Sequence, residues 1–418
     1  MFDLDLWQEI FSAIRKNKMR TILTGFSVAW GIFMLIVLLS AGNGIKNGIM
    51  SNFSGRSTNT VEVWGGRISM PYNGLPMGRR VRFDNKDFDL VENRIPGTAN
   101  VGGDLWWNGT VTFESEFMAC EMRGVYPSVL LIDNLDVLPN GRFINDIDMR
   151  EKRKVALIGE RLQTALFKDK DPVGQYVKFN GAMFQIVGIY KRNQNWGNDN
   201  AIYVPFSTAQ LLFNGGWGIN SIGFTVEGLT TRQANEKFND DLRKKFAALH
   251  RTHPDDKRAV GIYNQMEDYL QTMSIFNAIS MFMWIIGIGT LTAGVVGVSN
   301  IMLITVRERT REFGIRKALG AKPGAILRLI LLESILITGL FGYVGMLLGV
   351  GISEAVNALM SQGGGGGDGG MSIFKNPTVD LNIALLSTVV LIIAGMLAGY
   401  FPARKAIKIT AVEAMRTE

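Results

Sequence analysis

Cys120, His250 and His253 are the only cysteine and histidines in the 418 residues. Three such ligands are too few for a closed zinc or iron-sulfur site, and one thiol cannot close an intrachain disulfide. The two histidines lie in the charged run LHRTHPDDKR, which reads as a solvated connection. Gly363 to Gly370 (GGGGGDGG) contains a formal GxGxxG from Gly365 to Gly370. That motif holds a pyrophosphate only between a strand and a helix of a βαβ unit, so almost pure glycine reads as a flexible linker. Neither a GxxxxGK[ST] loop nor a GxSxG elbow occurs. The residue types give no phosphate cradle, no hydrolase nucleophile turn and no metal cluster, so we expect no catalytic, cofactor-binding or metal-ligating residues.

The elements around these residues explain why chemistry is sparse. Charged residues make up 19% of the chain and apolar ones 47%, with Lys+Arg 44 against Asp+Glu 37 and a formal charge of +7. The chain is long enough for two or three domains and too apolar for an ordinary soluble protein. No charge stands between Arg20 and Lys46, and further uncharged runs cover Tyr269 to Val306, Ser334 to Ser353 and Leu381 to Ala403. A run of about 20 residues at about 1.5 Å each crosses about 30 Å of hydrocarbon, so four spans are expected. Their central parts lack ionisable residues, which disfavours an ion channel or a secondary transporter.

Basic residues near the span ends set the orientation. Arg15, Lys16, Lys18 and Arg20 precede the first span, seven Lys and Arg from Arg307 to Arg328 lie between the second and third, and Arg404, Lys405, Lys408 and Arg416 follow the fourth. The loop between spans three and four holds only Lys375 against Glu354, Asp368 and Asp380. Both termini and the loop at 307–328 are therefore expected in the cytoplasm, with residues 43–265 outside. The surplus of positive charge then reflects topology rather than nucleic acid.

Leu4, Trp7, Ile10, Phe11 and Ile14 give residues 1–20 the apolar stripe of an interfacial helix. The stretch from Gln265 to Thr305 lacks proline and, as one helix, would be about 60 Å long, so part of it is expected to project as a stalk; a break near Ser274 to Asn277 is the alternative. Outside, Asn180-Gly181 signals a type I′ hairpin between Val177 to Phe179 and Met183 to Tyr190. Ile158 to Phe167 and Thr231 to Leu249 read as helices, Ser221 to Val226 and Ala259 to Tyr263 as strands. The fold class is thus four membrane helices with a large external α+β domain of two subdomains, one inserted in the other. Trp106, Trp107, Trp196 and Trp217 sit in turn-like contexts and read as core or loop anchors, with a partner surface as the alternative. Gly289, Ala293 and Gly297, then Gly345 and Gly349, then Gly395 and Gly399 recur at helix-packing spacing, for packing within the chain or a dimer seam.

Asn300 to Lys322 reads NIMLITVRERTREFGIRKALGAK. Beyond Val306 it becomes amphipathic, with Phe313, Ala318 and Leu319 expected inside and Arg309, Glu312, Arg316 and Lys317 outside. Gly320 suits a left-handed C-cap and Pro323 the first turn of the next helix. A short helix parallel to the membrane is expected, a lever for a soluble partner.

This run resembles the signature of the MacB-like (FtsX-like) permeases, of the macrolide-exporter type. Gly399 to Arg416 (GYFPARKAIKITAVEAMR) is similar to that family's end motif, and Leu162 to Tyr190, with DPVGQYVKFNGAMFQIVGIY from Asp171, to its extracytoplasmic domain. The resemblance implies a coupling helix at Arg309, Arg311, Glu312, Phe313, Gly314, Ile315, Arg316, Lys317 and Leu319, ended by Gly320, that docks on an ABC ATPase. It implies a stalk helix over 266–306, a coupling region over 307–328, spans at 21–42, 329–353 and 381–403, a Gly-rich loop at 354–380, a tail at 404–418, and porter-like and Sabre-like external parts, the latter near 120–205. About 20 residues precede the first span, whereas the macrolide exporter fuses an ATPase there, so ATP and Mg are expected in a partner ATPase and no cofactor on this chain. Further implied partners are a second permease chain, a periplasmic adaptor with an outer-membrane duct, and inner-membrane lipid. The implied function is mechanotransmission that drives efflux. Lipoprotein release, control of a cell-wall hydrolase, and an ATPase-independent sensor or scaffold stand as alternatives.

Overall fold

A computed structural model describes residues 18–53, 55–168, 170–192, 200–213, 218–362, 377 and 381–408. The interfacial stripe before Lys18, Trp196, Trp217, the glycine run and the tail beyond Lys408 lie outside them. The chain divides into a helical unit (Met1–Ile49, Ile275–Gly365 and Ser372–Glu418) and an α/β unit (Met50–Ser274 and Gly366–Met371).

Among the described residues four helices are long and apolar enough to cross a membrane. They are α1 (Lys18–Phe53), α8 (Gln265–Glu308), α10 (Pro323–Gln362) and α11 (Leu381–Lys408), with a short α9 (Thr310–Ala318) between the second and third. All four outrun the uncharged segments that mark them. α1 continues past residue 42, and α10 passes Glu354 to reach Gln362. Charge marks where lipid ends, while a helix stops only at a breaker or cap, and none intervenes. α8 is continuous through Ser274 to Asn277 and, at about 1.5 Å per residue, about 66 Å long.

Within the helical unit one apolar cluster joins all five helices: Val28 and Ile32 of α1, Val298 and Met302 of α8, Phe313 of α9, Leu329 and Ile330 of α10, Ala398 and Ala406 of α11. Small residues set the closest approaches. A methyl group on Gly349 of α10 would stand 3.0 Å from Ile36, and one on Gly399 of α11 2.7 Å from Ser334. Gly345 would meet the Ala29 carbonyl and Gly395 the Thr338 hydroxyl, while Gly297 touches Ser27 only at ordinary contact distance. Among the described residues Gly289 and Ala293 of the second span take no part in packing within the chain. Gly289 has open space around it and Ala293 is exposed; Gly294, one residue on, meets the Ser27 carbonyl instead. Spacing alone gives a stripe's period, and in a helix apolar all round it leaves the packed side undetermined.

The α/β unit is built on a mixed sheet in the order β12-β1-β11-β3-β4-β9-β6-β8-β5, with β7 pairing β3 and β8. Its strands are β1 (Thr60–Gly65), β3 (Thr98–Phe113), β4 (Glu116–Val125), β5 (Leu135–Val137), β6 (Val155–Gly159), β7 (Tyr176–Phe179), β8 (Ala182–Arg192), β9 (Ala201–Pro205), β11 (Ser221–Val226) and β12 (Val260–Asn264); β2 (Phe83–Asp84) and β10 (Gly218–Ile219) form a separate pair. The helices are α2 (Asn85–Arg94), α3 (Val129–Ile132), α4 (Asp146–Arg150), α5 (Glu160–Phe167), α6 (Phe206–Phe213) and α7 (Arg232–His250). The long hairpin β3/β4, in register from Asp104 opposite Val125 to Phe113 opposite Glu116, runs through three cores. One gathers Val61, Phe83, Val91, Phe224, Phe246 and Val260, a second Val111, Met122, Ile158, Leu162, Phe184 and Ile202, and a third Val125, Val129, Leu157, Tyr190 and Tyr203.

Asn180 and Gly181 adopt positive φ between Phe179 and Ala182, the turn their types predict. Thr231 accepts a hydrogen bond from the Ala234 amide as N-cap of α7. The segment from Ile158 to Phe167 corrects the sequence reading: Ile158 and Gly159 end β6, and the helix starts at Glu160. Five successive buried residues, Val155 to Gly159, form a strand covered on both faces, which no amphipathic period reveals.

Candidate functional site: a short lever helix and a buried charge cluster

α9 is built by its ends. After α8, Arg309 leaves helical geometry at φ −95°, ψ 12°, and α9 resumes at Thr310. At the far end the Leu319 amide donates to Ile315 and the Ala321 amide to Arg316, with Gly320 at φ +91°. That left-handed cap suits glycine, and Pro323 then opens α10, where a missing amide hydrogen costs nothing.

The faces of α9 differ from those the amphipathic pattern predicts. Phe313 and Gly314 are buried, whereas Ala318 is exposed and Leu319 is 83% exposed. Ile315 is 47% exposed, and Arg311, Glu312 and Gly320 are exposed too. Arg309, expected outside, turns in: its Nε lies 3.0 Å from Glu312, its Nη1 3.4 Å from Glu333, and its guanidinium covers the Phe313 ring at 5.5 Å. Lys317 also reaches inward and donates to the Ile407 carbonyl of α11 at 2.5 Å; Arg316 is half-buried. The helix ends at Ala318 because Gly320 reverses the chain, so extending its period to Leu319 misplaces that side chain. Glu333 stands just before the uncharged run that opens at Ser334, and nothing in the sequence pairs it with Arg309, 24 residues earlier.

The open side of α9 therefore presents two apolar side chains at i and i+4 between Arg311, Glu312 and Gly320. These exposed apolar side chains form an apolar centre with a charged rim.

In the α/β unit, β1, β3, β4, β8 and β9 bring together charges that the sequence keeps far apart. Asp133, 1% exposed, accepts from Arg56 Nε at 2.8 Å and Arg192 Nη2 at 3.0 Å, with Arg123 Nη1 at 3.7 Å. Arg56 also reaches Glu62 at 2.8 Å, Arg123 binds Asp104 and lies over the Tyr203 ring, and Arg192 donates to the Tyr203 hydroxyl at 3.0 Å. Burial pushes the Asp133 carboxyl up, but the three guanidiniums outweigh it and hold it below the ordinary carboxylate range. Burial pushes the Cys120 thiol up to about 12, so it is neutral and unreactive.

The histidine run is exposed at Leu249, Arg251, Asp255, Lys257 and Arg258, while its histidines make packing contacts. His250 lies 2.6 Å from the buried Asp87 and stacks on Phe83, and His253 meets the Tyr72 ring edge-on. Among the described residues no group of three or more His, Cys, Asp or Glu could hold a metal. Trp107 packs on Phe213, while Trp106 is 48% exposed.

Residues 21–245, more than half of the chain, match the model of the MacB-like periplasmic core domain, and residues 284–411 match the FtsX-like permease C-terminal region. The macrolide export ATP-binding/permease proteins MacB of Bdellovibrio bacteriovorus, Chlorobaculum tepidum and Chlorobium luteolum are 26%, 28% and 29% identical to it, each over 98% of this chain. The chain spans 61%, 61% and 60% of those relatives. The crystal structure of the periplasmic region of MacB from Actinobacillus actinomycetemcomitans is 19% identical, with a TM-score of 0.43, covering 54% of this chain and 97% of that one. The chain belongs to the MacB-like, FtsX-like family of ABC transporter permeases, and its four apolar helices make it a multi-pass inner-membrane protein.

Proposed function

We propose, from that family membership, that this chain is the force-transmitting subunit of an ABC efflux machine whose ATPase is a separate cytoplasmic chain. ATP and Mg bind in that partner, with none on this chain. Two ATPase subunits close on ATP, each draws α9 of one permease copy, and the helices carry the displacement to the α/β unit in the periplasm. There the change of shape drives a substrate outward through an adaptor and an outer-membrane duct. Both termini and α9 then face the cytoplasm, as the basic span ends favour.

The observation that carries this reading is the surface of α9, which exposes Ile315 and Leu319 at the end of an uninterrupted 44-residue helix that starts directly after β12. A buried anchor of this kind in an interface contributes about 2 kcal/mol or more, about thirtyfold in affinity. The chain in mild detergent is expected to retain an ABC ATPase identifiable by mass spectrometry, and Ile315→Glu/Leu319→Glu to lose it while keeping the wild-type melting temperature. Absence of any ATPase on the wild type, or full retention by the variant, rejects the reading.

A further inference from the structure

Glu333 has a buried carboxylate in an apolar bundle. Its side chain is 7% exposed, and it sits ten residues into α10 beside Ser334 and Thr338, whose hydroxyls donate to backbone carbonyls. An ionisable side chain at such a place is expensive unless it faces an opposite charge, and Arg309, at the joint between α8 and α9, supplies one. Arg309 is itself held by Glu312 and by the Phe313 ring.

The other end of α9 is tied as well. Lys317 donates to the carbonyl of Ile407 in the last described turn of α11. Between the ties Phe313 is buried in the cluster that includes Ile326, Leu329 and Ile330 of α10 and Ala403 and Ala406 of α11. α9 is thus joined by chain to α8, by charge to α10 and by a hydrogen bond to α11.

We propose that Glu333 is a positioning residue: with Arg309 and Lys317 it straps α9 to α10 and α11, so that a displacement of α9 moves these helices as one body instead of bending the Arg309 joint. This rests on the docking reading only for the source of the displacement. The strap itself is a property of the chain alone.

The test uses the full chain in lipid nanodiscs without any ATPase, with spin labels on Leu319→Cys and on the exposed Leu340→Cys of α10. Wild type is expected to give a narrow distance distribution, and Glu333→Gln one about twofold broader. Glu333→Gln removes the buried charge that faces Arg309, which keeps Glu312, and can lower the melting temperature, so Arg309→Met/Glu333→Met is the second variant. That apolar pair is expected to restore the melting temperature while the distribution stays broad, which a merely structural role does not produce. Equal widths in wild type and Glu333→Gln, or a narrow distribution in the double variant, overturn the proposal. Both results are obtained without the ATPase, so they stand whether or not Ile315→Glu/Leu319→Glu abolishes docking.

Discussion

Asp133→Asn tests whether the buried charge cluster holds the α/β unit together. Asn nearly matches Asp in shape and keeps one acceptor oxygen, so the substitution removes charge and little else. Asp133 faces Arg56 at 2.8 Å, Arg192 at 3.0 Å and Arg123 at 3.7 Å, with its own side chain 1% exposed. At an effective dielectric constant near 20 one such contact at about 4 Å is worth about 4 kcal/mol. Desolvation takes back several kcal/mol per ion, so the intact cluster adds little net stability. Removing Asp133 takes the shared anion from three buried guanidiniums, of which Arg56 keeps Glu62 and Arg123 keeps Asp104, and the expected loss is about 3–5 kcal/mol. Hydrogen exchange of the full chain in detergent, read on peptides from β4 and β8, should accelerate by about two to four orders of magnitude. The control is Glu151→Gln, which breaks the exposed pair with Arg153 and should change exchange by less than about tenfold. If Asp133→Asn behaves like this control, the cluster is not a structural centre and the reasoning fails.

Acid should weaken the same unit. Asp133, Asp148 beside Arg142, and Asp256, which accepts from Ser69 and from the Met70 and Arg258 amides, all have carboxyls held below the ordinary range. Their stabilisation is fully present above the unfolded value near 3.8 and is lost as pH falls through the lower folded values; Asp104, which burial pushes up against the pull of Arg123, opposes this as a single group. Melting followed by tryptophan fluorescence should be nearly flat from about pH 7 to 5 and fall below about pH 4; a fall centred near pH 6 contradicts the assignment. In the helical unit Gly345→Ala should cost about 1–3 kcal/mol, because its methyl group meets the Ala29 backbone, whereas Gly289→Ala should be neutral or stabilising by up to about 1 kcal/mol. Thermal midpoints in detergent decide, and equal effects at both positions would refute the packing described.

Much of the architecture is legible where one physical signal acts locally. Absence of charge marks the spans, Asn180-Gly181 announces its own turn, and Gly320 with Pro323 announces the end of α9. What the sequence conceals depends on partners remote along the chain. Arg309 looks like a solvent-facing residue until Glu333 appears across from it, and Leu319 looks like a core residue until the reversal at Gly320 points it away. Asp133 is one acidic residue among many until β4, β8 and the segment before β1 each deliver an arginine. Gly289 and Gly294 are equivalent by composition in a helix apolar all round, and only the position of Ser27 separates them.

The native sulfhydryl of Cys120 is sealed inside the second sheet core, and its proton is held to about pH 12. Thiol-directed reagents act on the thiolate, so at neutral pH they pass over this sulfur and modify whichever exposed cysteine is introduced. Probes and crosslinkers can therefore be placed one at a time on an otherwise unaltered polypeptide.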